Sequence, residues 1–204
     1  MDKPVIHLID DDEAIRRSVG FLLRTSSFDV VTYSSGIEFL STVTSAAAGC
    51  VLLDIRMPTM DGLEVQRAMI DRGIAMPVIV LTGHGEIALA VRAMKAGAID
   101  FIEKPFEKAV LLAAIEEAFK RLDGTGRHRQ DAVEAGVRLA ALTPRERKVL
   151  DGLVKGLPNK TIAYDLGISP RTVEVHRSNL MNKLGAGSLS GVLRIAFSAG
   201  LGGD

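Results

Sequence analysis

The stretch Val5-Ile6-His7-Leu8-Ile9-Asp10-Asp11-Asp12 sets the reading of this chain, and Cys50-Val51-Leu52-Leu53-Asp54 repeats its pattern. Each is a short, continuously apolar run that ends on acid. Such runs are too short and too uniformly apolar for surface helices, so both read as buried parallel strands. Acids at their carboxyl ends then fall where open α/β sheets bind ligands. Several carboxylates crowded there repel one another unless a cation or a proton intervenes. A magnesium site beside a reactive aspartate resolves that repulsion.

Working outward, strand-like runs alternate with helical patterns. Ile15, Val19, Leu22 and Leu23 recur at helical spacing. Val30-Val31-Thr32-Tyr33 reads as a strand, and Ile37, Phe39 and Leu40 as a short helix. The loop Arg56-Met57-Pro58-Thr59-Met60-Asp61-Gly62 leads into a helix carrying Leu63, Val65 and Met69. Pro77-Val78-Ile79-Val80-Leu81 is a fourth strand with the proline at its edge. A helix over 86–96 buries Ile87, Ala90, Val91 and Met94. Asp100-Phe101-Ile102-Glu103 is a fifth strand, and Leu111, Ile115, Ala118 and Leu122 stripe the helix after it. Five βα units predict a doubly wound, five-stranded parallel sheet in an α/β domain over 3–122.

Residues 123–141 read as a linker, flexible first and helix-compatible later. From 142 to 204 no strand pattern occurs, and helices at 145–154, 159–166, 170–184 and 188–198 predict a separate all-α domain. The charge divides the same way. Residues 1–123 hold 13 Lys and Arg against 18 Asp and Glu, a net −5, and residues 124–204 hold 12 against 7, a net +5. An acidic half and a basic half suggest a cation site in one and a polyanion partner for the other. Cys50 is the single cysteine, which excludes an internal disulfide and leaves core packing as its role. The opening Met-Asp-Lys-Pro is no signal peptide, and no apolar run approaches the ~20 residues needed to span a bilayer. The expectation is a cytoplasmic protein with no membrane association.

Two further features fall at strand ends. Thr82 closes the fourth strand and Lys104-Pro105 the fifth. The predicted sheet edge thus offers a nucleophilic carboxylate, metal ligands, a hydroxyl and an ammonium. Phosphoryl transfer needs little beyond positioning and charge neutralisation. Mg²⁺ takes one or two carboxylates together with waters and phosphate oxygens. Lys104 suits one phosphoryl oxygen as a point charge, and Thr82 can donate a hydrogen bond to another. Any one of these residues alone reads as a turn or cap; four at the ends of strands one, three, four and five do not.

This set resembles the receiver domain of two-component response regulators, a flavodoxin-like fold, over residues 3–122. With its carboxy-terminal half the chain resembles response regulators of the FixJ type, in which a receiver precedes a LuxR-type helix-turn-helix domain. Met94-Lys95-Ala96-Gly97-Ala98 and Asp100-Phe101-Ile102-Glu103-Lys104-Pro105-Phe106 make the likeness specific. The resemblance implies that Asp54 accepts a phosphoryl group from a phosphohistidine of a partner sensor kinase. It also implies Mg²⁺ bound by Asp11, Asp54 and the Arg56 carbonyl, with Asp10 supporting through water and a cis Lys104-Pro105 bond. The role of Asp12 stays open. Phosphorylation would draw Thr82 inward and make room for Phe101, and the face carrying Val91, Lys95 and Phe101 would serve as switch and dimer surface. Phe101 and Val91 read equally as core. Arg56 and His84 stand where they could tune the lifetime of the acyl phosphate, although His84 reads first as a solvated loop histidine.

In the basic half, residues 157–173 follow the grammar of a helix-turn-helix. Asn159 can cap its first helix, Gly167 permits the tight turn, and Ser169-Pro170 supplies an N-cap followed by proline. On the second helix Val173, His176, Leu180 and Leu184 face a core. Arg171, Glu174, Val175, Ser178 and Asn182 lie opposite, as on a helix reading base edges in a major groove. Lys160, Arg171, Thr172, Arg177 and Lys183 are candidate phosphate contacts. Glu174 either accepts a hydrogen bond from a cytosine amino group or pairs with Arg171. Leu189, Val192, Leu193, Ala196 and Phe197 stripe the last helix, which in LuxR-type domains also pairs two subunits.

The expectation is therefore a phosphorylation-switched transcription activator, not an enzyme beyond slow self-dephosphorylation. By family inference its partners are a FixL-like, haem-containing oxygen-sensing kinase, promoter DNA of nitrogen-fixation and microaerobic genes, RNA polymerase and a second copy of the chain. An aspartyl-phosphate hydrolase with an appended DNA-binding module is the alternative. It typically needs an acid two residues after the nucleophile, where this chain has Arg56. A lactone sensor would need an apolar, commonly aromatic-lined cavity. With no Trp and two Tyr the chain is poorly supplied for one.

Overall fold

The computed structural model describes residues 4–43, 49–83, 87–123 and 128–202. By proximity of Cα atoms these fall into two compact units, Met1–Gly85 with Ala96–Thr125, and Glu86–Lys95 with Gly126–Asp204.

In the first unit five parallel strands alternate with helices: β1 (Val5–Ile9), α1 (Glu13–Thr25), β2 (Asp29–Tyr33), α2 (Gly36–Thr42), β3 (Cys50–Asp54), α3 (Gly62–Asp71), β4 (Val78–Thr82), β5 (Asp100–Glu103) and α5 (Lys108–Asp123). The strand order β2-β1-β3-β4-β5 confirms the doubly wound sheet. One strand end differs in detail: Asp54, expected just past its strand, is the last residue of β3, whereas Thr82 closes β4 as expected.

Side-chain alternation sorts the strands onto two faces. Ile6, Leu8, Cys50, Leu52, Ile79, Leu81 and Ile102 form one core with Val19 and Leu23 of α1 and Leu111, Ile115 and Ala118 of α5. Burial lifts the Cys50 thiol to about 12, so it is an inert packing group. Beneath α2, the ring of His7 stacks with Tyr33 and meets Phe39 edge-on.

The second unit is helical. It holds α4 (Ile87–Lys95), α6 (His128–Ala140), α7 (Pro144–Val154), α8 (Asn159–Leu166), α9 (Pro170–Leu184) and α10 (Leu189–Ser198). The helix α6 falls within the predicted linker and packs on α10, as does α4. Val149, Leu150, Leu153, Ile162, Val173, Leu180, Leu184, Val192 and Leu193 are buried together in the core of this unit. Gly167, at φ +64°, takes the left-handed conformation that ends α8 and opens the turn to α9, where Ser169 caps through its side chain. One expectation is corrected. Pro158, not Asn159, is the N-cap of α8, and it makes no side-chain cap bond. The Asn159 side chain instead accepts a hydrogen bond from Arg177 at 2.9 Å, a tertiary partner that outcompetes the local cap.

A candidate phosphoryl-acceptor pocket and DNA-reading face

Register and period two together build the acidic pocket. Ile9 pairs with Leu53 and Asp54 with Leu81, so Asp10 and Asp54 emerge side by side at the carboxyl edge. Asp10, Asp54 and Lys104 continue the alternation of Leu8, Leu52 and Ile102, which puts all three on the α1/α5 side of the sheet. The Lys104 ammonium donates to Asp10 Oδ2 at 2.7 Å and to Asp54 Oδ1. Asp54 Oδ2 accepts from the Arg56 backbone N–H at 3.0 Å. The backbone N–H of Lys104 donates to the Thr82 carbonyl, which ties the end of β5 to β4.

The charges are balanced unevenly. Asp10 and Asp54 are buried, whereas Asp11 is exposed. Burial, with the neighbouring Asp10 charge adding to it, pushes the Asp54 carboxyl above its ordinary range despite Lys104 and the Arg56 N–H. Burial also opposes the Lys104 charge, but its bonds to Asp10 and Asp54 prevail and raise its pKa. One ammonium therefore serves two buried carboxylates, with a third acid at the rim. Among the described residues no three His, Cys, Asp or Glu side chains converge as a metal cluster. Mg²⁺ does not require that, because it keeps several waters. The all-oxygen donor set and the excess negative charge fit this ion.

Asp12, left open from sequence, is the N-cap of α1. Its side chain accepts from the N–H groups of Ala14 at 2.7 Å and Ile15 at 3.4 Å, and its own N–H donates to Asp10 Oδ1. Arg16 went unnoticed in the sequence. Its guanidinium donates to the carbonyls of Asp10 at 2.7 Å and Asp11 at 2.8 Å, pinning the acidic loop from the first turns of α1. A cation five and six residues beyond two acids was its only signal. Thr82 is buried at the pocket edge, and Arg56 is exposed. His84 lies outside the described residues. Of the expected switch surface, Val91 is buried, Lys95 is exposed and Phe101 is half-buried.

On α9 the expected division holds except at His176, read as a core residue but only half-buried. Val173, Leu180 and Leu184 are buried, and Arg171, Glu174, Val175, Ser178 and Asn182 are exposed, as is Lys160 on α8. Thr172 is half-buried, and its hydroxyl shares a hydrogen bond with Ser169. Two of the expected phosphate contacts have partners inside the unit. Lys183 donates to Glu146 at 2.8 Å, and half-buried Arg177 donates to Asn159. Burial lowers the Arg177 pKa while the charge of Glu174 opposes that shift. Glu146 itself is buried, and through it Lys183 joins α9 to the capping box of α7.

Comparison with known proteins agrees with this geometry. Residues 6–116 match the family described as "Response regulator receiver domain", and residues 140–196 match "Bacterial regulatory proteins, luxR family". The chain is 50% identical to "Transcriptional regulatory protein FixJ" of Azorhizobium caulinodans over 196 residues, covering 96% of this chain and 93% of that protein. It is 48% identical to the protein of the same name from Rhizobium meliloti, with 97% of each covered. The crystal structure of full-length FixJ from B. japonicum superposes with a TM-score of 0.59 at 44% identity, covering 98% of each chain. No described helix is long and apolar enough to cross a membrane. A buried aspartate held by lysine at the edge of a β2-β1-β3-β4-β5 sheet, followed by a helix-turn-helix, thus meets two family matches in the same order: the chain belongs to the response regulators that join a receiver domain to a LuxR-family DNA-binding domain, and it is similar to FixJ proteins.

Proposed function

We propose that Asp54 is the phosphoryl acceptor of this regulator and that its modification switches the chain into a DNA-binding, transcription-activating dimer. The observation that carries the reading is the Asp54 carboxylate, buried but reachable at the sheet edge, with Lys104 on one oxygen and the Arg56 N–H on the other. A carboxylate oxygen attacks the phosphorus of a kinase phosphohistidine, the P–N bond breaks, and its electron pair returns to the imidazole. Lys104 then exchanges its Asp54 contact for a phosphoryl oxygen, and the Thr82 hydroxyl donates to another. Asp11, Asp54 and the Arg56 carbonyl, with Asp10 through water, are the residues that would hold Mg²⁺, which supplies further charge neutralisation of the phosphoryl oxygens. Arg16 keeps the Asp10–Asp11 backbone in place throughout.

The modification adds ~1.5–2 negative charges beside Thr82. Thr82 moves toward them, Phe101 fills the space, and the surface around Val91 and Lys95 becomes available for pairing. The resemblance to regulators of the FixJ type suggests a nitrogen-fixation role, with a FixL-like oxygen-sensing kinase upstream and RNA polymerase downstream. Chemistry beyond accepting and slowly losing the phosphoryl group is not part of this reading.

The test compares wild type with Asp54→Asn, each incubated with Mg²⁺ and acetyl phosphate. Wild type should gain the mass of one phosphoryl group, elute as a dimer and bind promoter DNA more tightly, while the variant does none of these. An unmodified wild-type monomer binding DNA equally well in every sample would sink the proposal.

A further inference from the structure

Among the described residues of the helix-turn-helix region, Tyr164 is the most exposed large side chain with an apolar body, at 87%, and Val175 follows at 54%. Both lie on the same side of the α8–α9 pair. On α8, Ile162 faces α7, because a Cβ on Gly152 would fall 2.7 Å from Ile162 Cγ1. Asn159 faces α9, where it accepts from Arg177. At 3.6 residues per turn, the order around α8 runs from Ile162 past Asn159 and buried Ala163 to Lys160 and then Tyr164. Asp165 falls on the other side, next to the α7 contact. On α9 the same count places Glu174, Ser178 and Val175 outward of Arg177. Lys160 and Tyr164 therefore extend the exposed face of α9 across the groove onto α8.

We propose that Tyr164 is a DNA-backbone contact, with its phenolic hydroxyl donating to a phosphate oxygen and its ring covering the adjoining sugar. The residue's chemistry and setting point to that occupant. An aromatic body with a polar tip suits a surface that is apolar at one end and wet at the other. Lys160, one turn away on the same face, supplies the charge that brings phosphate there. The half containing this face carries the chain's net +5. Neutral tyrosine donors fix a protein on the duplex without reading sequence. Tyr164 thus positions α9, while Arg171, Glu174 and Val175 address the bases.

This inference rests on the DNA-binding assignment, and the experiment separates the two. The full-length chain, wild type and variants, is titrated against a labelled mixed-sequence duplex and against a duplex selected by wild type from a random library, over a series of NaCl concentrations. Tyr164→Phe should weaken both complexes by the same factor, about tenfold, as expected for a lost hydrogen bond to a charged acceptor. Tyr164→Ala should weaken both further. Neither should change the slope of log affinity against log salt, because a neutral donor releases no counterion. Lys160→Ala should reduce that slope by about 1. The melting temperature of the tyrosine variants should match wild type, since the side chain is exposed.

Wild-type affinity in Tyr164→Ala would overturn the proposal. So would unchanged DNA affinity with reduced transcription, which would give the face to a protein partner. A loss confined to the selected duplex would also overturn it by making Tyr164 a base reader. If wild type bound neither duplex, the DNA-binding assignment would fall, and this contact with it.

Discussion

At Asp54, function and stability pull in opposite directions. Its carboxyl titrates higher folded than unfolded, through burial first and Asp10 second. The folded state therefore binds the extra proton more readily, and stability falls as pH rises from the unfolded carboxylate range through the folded value. At neutral pH the charged side chain costs stability. Asp54→Asn should melt higher than wild type at pH 7.5, with the gap closing as the pH approaches 4; circular dichroism melts at several pH values check this. His7 behaves as a base with the opposite outcome. Burial lowers its pKa, its Nδ1 shares a hydrogen bond with Tyr33 at 3.1 Å, and its Nε2 is buried without a hydrogen-bond partner. Stability is full above the unfolded value near 6.5 and declines as pH falls below it, because the unfolded chain takes up the proton first. His7→Phe should flatten the fall in melting temperature between pH 7 and 5. The acids of the pocket were legible residue by residue, since strand ends are marked by where apolar runs stop. Arg16 was not, because what it binds are carbonyl oxygens, which every residue carries.

Between elements, the fit is governed by close approaches. A Cβ on Gly62, the first residue of α3, would lie 2.5 Å from the Asp54 carbonyl oxygen and 2.9 Å from Ile55 Cα. Both obstacles are backbone, so Gly62→Ala must displace either α3 or the end of β3. It should cost about 1–3 kcal/mol in denaturant melts and slow acetyl-phosphate labelling of Asp54, whereas Gly73→Ser, at an exposed turn away from the pocket, should leave labelling intact. In the helical unit, Glu146 closes the capping box of α7 and also receives Lys183 from α9. Burial opposes its charge, but Lys183 and Thr143 prevail and hold its pKa below the ordinary range. Its contribution is therefore present above the unfolded value and is lost as pH falls through the folded one. Glu146→Ala should destabilise by about 1–2 kcal/mol, as for a lost cap, read as a lower denaturant midpoint. The boundaries of α7 to α10 were legible to within a residue, because Ser-Pro and Gly mark helix ends chemically, whereas α6 lies in a stretch that reads only as a partly helix-compatible linker. The cap of α8 was misread because Asn159 has a tertiary partner on α9, and local grammar carries no information about it.

At the scale of the whole molecule the chain divides into two compact units. If the units unfold separately, calorimetry should give a van't Hoff enthalpy smaller than the calorimetric enthalpy, as multidomain chains depart from two-state unfolding; equal values would mean that the units melt as one. The alternation of strands and helices, the switch to helices alone and the change of charge from −5 to +5 were all decided by sequence. So were the positions of Asp54 and Lys104 at strand ends and the exposed face of α9, because period, punctuation and residue chemistry are local properties of the chain. Other features waited for the tertiary structure: the register that sets Asp10 beside Asp54, the sharing of one ammonium between them, the grip of Arg16 on the acidic loop, and the engagement of Lys183 and Arg177 by partners within their own unit. The exposed strip from Lys160 to Tyr164 belongs with these. Each depends on which distant segments lie within a hydrogen bond or a van der Waals contact of each other, and spacing along the chain does not encode that distance.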